Sequence, residues 1–360
     1  MQMQPLFGVE EKNILLEYLN ENPFFTEYKK TEEFEKLIAN YVGAKHCIVV
    51  SNGTVSLTLA AMALGISYGD EVIVPNYTMI ASPNSLKFLG ANPIFVDVEP
   101  DTLCLDLNQI ERHLTPKTKA IMLVSANGRY PKSGINKFED FCIKNNLLLI
   151  EDAAQSLGSF YPDGRHIGTA GLIGSFSFST PKIISTGQGG ALVTNNDEIA
   201  KNIRKLKDFG RSKGGNDIHD VIGFNFKFTD LQACIGIAQM KKLPERAQRK
   251  KILFEKYKNE LKNVDGISLF NHDLQNTSPW FIDCLAENRN ALIQFLTDHQ
   301  IGSRIMYPPI NKQLAYLYPG NFPVSDLIGE KGLWLPSAVQ LTDHDVKRVC
   351  SVIRKFYSSL

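Results

Sequence analysis

Asn146-Leu-Leu-Leu-Ile-Glu-Asp152 sets four apolar residues in succession before two carboxylates. A strand with one wet face alternates apolar and polar residues; an unbroken apolar run of this length is what a strand covered on both faces requires. On either side of it, His46-Cys-Ile-Val-Val50, Glu71-Val-Ile-Val-Pro75, Pro93-Ile-Phe-Val-Asp97 and Ala120-Ile-Met-Leu-Val124 have the same character. Helical patterns lie between them, at 55–64, 82–89 and 137–145. Strand, helix and strand repeated in this way predict an α/β chain with a mostly parallel central sheet between helices.

The pattern changes further on. Ser175-Phe-Ser-Phe-Ser179 alternates with period two, which predicts a strand with two different faces. Gly190-Ala-Leu-Val-Thr194 is a further strand candidate, followed by helical patterns at 197–209 and 230–241. A long, charged helical pattern at 244–261 leads out of this region. Beyond Val264 the chain reads as a smaller α+β unit, with a strand at 280–286 and helices at 288–299 and 343–356. At about 150 residues per domain the 360 residues suggest two units. The boundary is expected between 1–243, a large domain with an N-terminal segment, and 244–360, a linking helix with a small domain.

Composition excludes several classes of function. Lys plus Arg is 39 and Asp plus Glu is 38, a formal charge of +1, so the basic excess of a nucleic-acid binder is missing. A local basic groove for a phosphorylated small molecule stays compatible with that balance. No run of 18 apolar residues occurs, and residues 1–12 lack a basic segment followed by an apolar run, so neither a membrane span nor a signal peptide is expected. Cys47, Cys104, Cys142, Cys234, Cys284 and Cys350 are scattered without a CxxC pair, which suits free thiols in a reducing, cytoplasmic compartment. The seven histidines are isolated and no HExxH occurs, so no metal is expected.

In open parallel sheets ligands bind beyond the carboxyl ends of the strands. Three features at such ends bear on chemistry. Ser51-Asn-Gly-Thr54 stands between a strand and a helix; it reads either as an ordinary N-capped turn or as a phosphate site at a helix N-terminus. Asp152 closes a buried strand and needs a cation or a donor, either a lysine or helix end of the protein or the protonated ring nitrogen of a cofactor. Lys182, after Ser177-Phe-Ser-Thr-Pro181, lies between apolar strands, and burial makes an amine a usable nucleophile. Gly187-Gln-Gly-Gly190 lacks the GxxxxGK[ST] pattern and is no P-loop. A phosphate, a pyridinium nitrogen and an aldehyde are the three handles of pyridoxal 5′-phosphate, and the three features together supply a partner for each.

Ser51-Asn-Gly-Thr54, Gly69-Asp-Glu-Val-Ile-Val-Pro75, Phe95-Val-Asp-Val98, Ile150-Glu-Asp-Ala-Ala-Gln155, Gly174-Ser-Phe-Ser-Phe178 with Lys182, Gly187-Gln-Gly-Gly190 and Gly223-Phe-Asn-Phe-Lys-Phe-Thr-Asp230 carry a resemblance. In their order and spacing the chain resembles the DegT/StrS family of pyridoxal-phosphate-dependent sugar aminotransferases, of the aspartate aminotransferase fold (fold type I). The likeness is close from Phe24 to Leu243 and looser around Arg304 and Leu335-Pro336. It is nearest to members acting at C4 of dTDP- or GDP-linked 4-keto-6-deoxyhexoses, with a lean to dTDP. The resemblance implies that Lys182 is the Schiff-base lysine and the catalytic residue, that Asp152 holds the ring nitrogen protonated and that Gln155 meets the ring hydroxyl. It places Gly53, Thr54 and Ser177 at the phosphate. Asn225 falls where a neighbouring subunit completes the phosphate site, implying a homodimer with shared active sites. Against the cofactor ring, where the family has an aromatic residue, stands Met79, and Tyr77 is the alternative. The loop Ser125-Ala-Asn-Gly128 departs from the family's pattern and is expected to face the sugar through Asn127.

Arg211, Arg304 and Tyr307 are further expected substrate contacts, with packing as the other reading of Tyr307; Lys29, Lys30 and Lys213 read as nucleotide contacts or solvated surface. The implied reaction takes an amino group from L-glutamate to a nucleotide-linked keto sugar in two half-reactions, with Lys182 moving the proton. The alternatives are a sugar dehydratase of the same family, of which those related to GDP-4-keto-6-deoxymannose 3-dehydratase carry histidine at the position of Lys182, and a non-catalytic regulator. No basic or helix-turn-helix segment precedes Phe24, which disfavours the regulator.

Overall fold

The computed structural model describes residues 3–21, 23–213 and 216–359. Helices α1 (Val9–Asn20) and α2 (Lys29–Val42) precede β1 (His46–Val50). There follow α3 (Gly53–Ala63), β2 (Glu71–Pro75), α4 (Ala81–Lys87), β3 (Asn92–Val96), the short α5 (Leu107–Ile110), β4 (Thr118–Val124), α6 (Ile135–Lys144) and β5 (Leu148–Asp152). Next come β6 (Ile173–Ser177), β7 (Gly190–Thr194), α7 (Asp197–Lys207), α8 (Asp230–Lys241) and α9 (Leu243–Leu261). The remainder is β8 (Ile267–Leu269), β9 (Ile282–Ala286), α10 (Arg289–Asp298), β10 (Arg304–Ile305), α11 (Pro323–Lys331), β11 (Gly332–Leu335) and α12 (Asp343–Ser358).

The first seven strands form one sheet in the order β1-β7-β6-β5-β4-β2-β3. Pairing is parallel from β6 through β5, β4, β2 to β3, and β7 runs against both its neighbours. Successive residues of each strand enter opposite cores, which explains the unbroken apolar runs. Val49, Ile73, Ile121 and Leu149 meet Phe34 and Ile38 of α2 and Phe138 of α6 on one face. Ile48, Val72, Met122 and Ile150 meet Leu57 and Ala60 of α3 and Ile203 of α7 on the other.

The period-two run behaves differently from a half-wet strand. β6 starts two residues before Ser175, and both of its faces are buried. Ser175 Oγ lies 2.7 Å from Ser56 Oγ of α3, while Phe178 packs its ring 5.3 Å from Phe34. The alternation sorts small polar side chains from aromatic ones, so α3 can approach the sheet on the serine side.

β8 to β11 make a second, antiparallel sheet in the order β10-β11-β9-β8. Leu253 and Tyr257 of α9, Leu292 and Leu296 of α10 and Val349 and Ile353 of α12 share its core. The N-terminal turns of α9 contribute Leu243 and Ala247 to the core of the large sheet, so this helix belongs to both. The expected strand 280–286 begins only at Ile282; Trp280 and Phe281 stay outside it and stack at 3.9 Å. All six cysteines are buried and free. No helix among the described residues is long and apolar enough to cross a membrane, and no group of three His, Cys, Asp or Glu could hold a metal ion there.

Candidate active site

A cavity of about 630 Å³ opens beyond the carboxyl ends of the large sheet's strands and is closed from one side by the second sheet. Its walls come from the β1–α3 turn, the segment after β2, the ends of β5 and β6, and Trp280, Arg304 and Tyr307.

At one end stands the N-terminus of α3. Asn52 caps it, accepting the N–H of Val55 at 3.0 Å. The N–H groups of Gly53 and Thr54, first in the helix, have no intrahelical acceptor and carry the positive end of the helix dipole. The capping reading of this turn is thus met by Asn52, while the N–H groups of its two neighbours are left without an intrahelical acceptor. The turn also lies close to β6 and β7. A Cβ on Gly53 would come 2.9 Å from Ser177 Cβ, and one on Gly190 would come 2.6 Å from Asn52 O. Only bare backbone at both positions lets Ser177 stand beside the helix end.

Asp152 closes β5 and is buried. Ser82 Oγ donates to its Oδ2 at 2.7 Å, and the N–H of Ala154 to its Oδ1 at 3.2 Å. Thr78 Oγ1 lies 2.9 Å from Ser82 Oγ and orients that hydroxyl. Burial pushes the carboxyl's pKa up, against the Ser82 and Ala154 hydrogen bonds and the charge of Lys182. Such a group gains from a cation brought to it.

Lys182 follows β6 in a turn closed by its N–H on Ser179 O at 3.0 Å. Its Nζ lies 4.0 Å from the centroid of the Trp280 ring. Burial lowers the amine's pKa to about 8, and the charge of Asp152 opposes this in part. Trp280 is itself fixed by its indole N–H on Pro181 O at 2.8 Å, one residue before the lysine.

The cavity brings together Gly53, Thr54, Met79, Asp152, Gln155, Ser177, Lys182, Arg304 and Tyr307. Four expected site residues lie outside its walls. Tyr77 is buried, its ring 6.2 Å from that of Tyr307, so the position facing the cavity after β2 is filled by Met79. Asn127 has both ends of its side chain engaged: Oδ1 accepts the N–H of Phe281 at 2.6 Å, and Nδ2 donates to Phe281 O at 2.8 Å. Its loop is buried and does not line the cavity, contrary to the expectation that it faces a sugar. It acts on the site indirectly, because the N–H of Asn127 donates to Gln155 Oε1 at 2.6 Å. Arg211 pairs with Asp208 and Asp217, both at 3.0 Å, away from the cavity. Asn225 is exposed and bridges to the backbone of Asp208.

Tyr307 lines the cavity, and its ring packs edge-on to Trp334 at 4.8 Å. Arg304 lies over the same indole at 5.6 Å. Thr78, within the polar run Pro75-Asn-Tyr-Thr78 at a strand end, lines the cavity, whereas Trp280 and Ser82 were not legible as site residues. The one available signal was that Trp280 is among only two tryptophans in the chain and heads an expected strand.

These residues fit pyridoxal phosphate: open amides and a serine for its phosphate, a buried carboxylate short of a cation for its ring nitrogen, and an amine of lowered proton affinity for its aldehyde. The comparisons with known proteins agree. A chain from Escherichia coli O157:H7 called GDP-perosamine synthase is 35% identical over 99% of this chain and 98% of its own length. The protein of the same name from Vibrio cholerae is 32% identical over 99% of both. The solved structure of the aminotransferase TlmJ from Streptoalloteichus hindustanus superposes with a TM-score of 0.94 at 29% identity, covering 100% of this chain and 99% of that one. The model of the DegT/DnrJ/EryC1/StrS aminotransferase family matches residues 6–354. The chain belongs to that family, and it is a sugar aminotransferase that uses pyridoxal phosphate.

Proposed function

We propose that the enzyme moves an amino group from L-glutamate to C4 of a GDP-linked 4-keto-6-deoxyhexose, giving a 4-amino-4,6-dideoxy sugar and 2-oxoglutarate. The observation that carries the reaction is the Lys182 amine, with lowered proton affinity, set against Trp280 and in the field of Asp152. The choice of GDP over the dTDP favoured from sequence rests on the two GDP-perosamine synthases that align along nearly the whole chain.

Gly53, Thr54 and Ser177 would hold the cofactor's phosphate, Asp152 its ring nitrogen, Gln155 its ring hydroxyl and Met79 a ring face. Bound there, pyridoxal phosphate supplies an electron sink for the carbon that loses its proton. Lys182 Nζ does the proton transfer. With a pKa near 8 it is in part unprotonated at neutral pH and can accept a proton from the amino carbon of the donor. Once charged, Nζ is stabilised by the Trp280 ring face and by Asp152. One cavity serves donor and acceptor in turn, so ping-pong kinetics are expected. The lysine at 182 favours amino transfer over dehydration of the kind that the resemblance assigns to relatives of GDP-4-keto-6-deoxymannose 3-dehydratase, which carry histidine there.

The expected test is turnover of GDP- and dTDP-4-keto-6-deoxyhexoses side by side with L-glutamate, reading 2-oxoglutarate and the amino sugar. Lys182→Ala should lose on the order of 10³-fold or more in kcat. Normal turnover by that variant, or loss of a sugar hydroxyl without gain of an amine, overturns the proposal.

We infer also that two copies share their active sites, with Arg211 and Asn225 serving the partner's cavity. Phe24, 68% exposed, and Ile222, 83% exposed, support a protein-covered surface in that region. Mixing Lys182→Ala with Asn225→Ala chains should restore activity, because one of the two sites in the mixed dimer is then complete; no recovery from mixed dimers counts against sharing. Free buried thiols suit a reducing compartment, and we place the enzyme in the cytoplasm.

A further inference from the structure

A second lysine lies behind the first. Lys250 sits on α9, which spans the two sheets, and it is fully buried. Its Nζ donates to the backbone carbonyl of Trp280 at 2.8 Å and to that of Ser337. It also lies 5.8 Å from the centroid of the Phe281 ring. No carboxylate pairs with it among the described residues, and burial alone lowers its pKa to about 7. A buried ionisable group without a counter-charge is a poor way to stabilise a core, and methionine would fill the same space without a polar atom to satisfy. The two carbonyls match the two N–H bonds that a lysine keeps even when neutral, so the contacts hold in either protonation state.

Trp280 is the residue these contacts fix. Its indole N–H is held by Pro181 O, its backbone N–H points to Asn127 O at 3.4 Å, and its carbonyl is held by Lys250. The Ser337 end is anchored in turn, since Ser337 Oγ accepts the N–H of Ile282 at 2.9 Å and donates to Leu335 O at 2.6 Å. Lys250 thus ties the linking helix to the segments just before β9 and just after β11, at the point where an aromatic face meets Lys182 Nζ.

We propose that Lys250 is a positioning residue for amino transfer, acting through Trp280: its two hydrogen bonds hold the indole against the Lys182 amine. The inference rests on the assignment of Lys182 as the proton-transfer amine, and its test is built to keep the two apart. Lys250→Met should keep its cofactor content and its KM for the keto sugar while kcat falls by about tenfold to a hundredfold, the scale of a misplaced catalytic contact. Its tryptophan emission should shift, because both tryptophans of the chain lie in this cluster, 5.9 Å apart. Trp280→Leu should show a similar loss in kcat, and the double variant should lose no more than the larger single loss. Unchanged kcat in Lys250→Met, or losses that multiply in the double variant, overturn the proposal. Should Lys250→Met fail to fold, Trp280→Leu decides: wild-type kcat there removes the route through which Lys250 acts. Borohydride reduction of the loaded enzyme and peptide mapping address the underlying assignment separately. A pyridoxyl group on Lys182 upholds it, and one on Lys250 overturns both readings.

Discussion

Asp152 and Asp283 are both buried carboxylates in strands, one at the end of β5 in the large sheet and one in β9 of the small sheet. Their surroundings push them in opposite directions. Arg129 meets Asp283 through two N–H groups, at 2.8 and 2.6 Å, and its charge holds that carboxyl down at about 2 despite burial. Asp152 has a serine hydroxyl, one backbone amide and the field of Lys182, and burial wins, so its pKa is raised. Asp283 has its counter-charge within the protein and joins β9 to the segment that follows β4. Asp152 is left short of positive charge, the condition under which a carboxylate gains from a ligand's cation. Two buried acids are thus shifted in opposite directions, and the partner rather than the burial tells them apart.

The sharpest break of this contrast is to neutralise each acid. Asp283→Asn strands Arg129 without its counter-charge and should cost about 3–5 kcal/mol of stability, read by denaturant unfolding. Asp152→Asn should leave stability unchanged or raise it, yet lower kcat by on the order of 10²-fold, since the anionic partner proposed for the ring nitrogen is lost. The reverse pattern would mean that the two roles have been exchanged.

Acid titration gives a smaller effect with a definite sign. The folded-state pKa of Asp283 lies near 2, below its ordinary 3.8, so its contribution to stability is present above about pH 4 and fades as the pH falls towards 2. Asp283→Asn should flatten the unfolding free energy across that window. Asp152, with its pKa raised, contributes in the opposite sense, and its replacement should not remove the acid-side loss.

The least of these effects concerns the phosphate end of the cavity. Gly53→Ala brings a methyl to 2.9 Å from Ser177 Cβ, which must give way beside the helix end. The dissociation constant for pyridoxal phosphate should rise by about tenfold, equivalent to about 1.4 kcal/mol, as measured by equilibrium dialysis. An unchanged constant would show that the phosphate does not sit between Gly53 and Ser177.

How far the site was legible follows from where each residue stands relative to a strand. Asp152 and Lys182 could be found because an ionisable group at the end of an apolar run is anomalous in sequence as well as in space. Gly53 and Thr54 became candidates because they open an apolar helix just past a strand, where an ordinary capped turn has the same sequence. Tyr77 and Asn127 also follow strand ends, and there position misled. The sequence does not say that Phe281, more than 150 residues further on, offers both of its backbone groups to the Asn127 amide. Nor does it say that Tyr77 turns towards Tyr307 and leaves the cavity wall to Met79. Trp280 escaped notice for the same reason, since its link to Lys182 exists only once the second sheet is docked.

The chain's linear pattern was enough for the architecture and for the chemical type of the site. Apolar runs, glycine turns and isolated charges are local, and burying a strand on both faces leaves a mark that any window of a few residues carries. The tertiary structure alone decided which side chains face the cavity, which acid is spoken for, and that a lysine of the linking helix stands behind the tryptophan. Those depend on contacts between residues far apart along the chain, whose distances are set by how two sheets pack and by no short stretch of sequence.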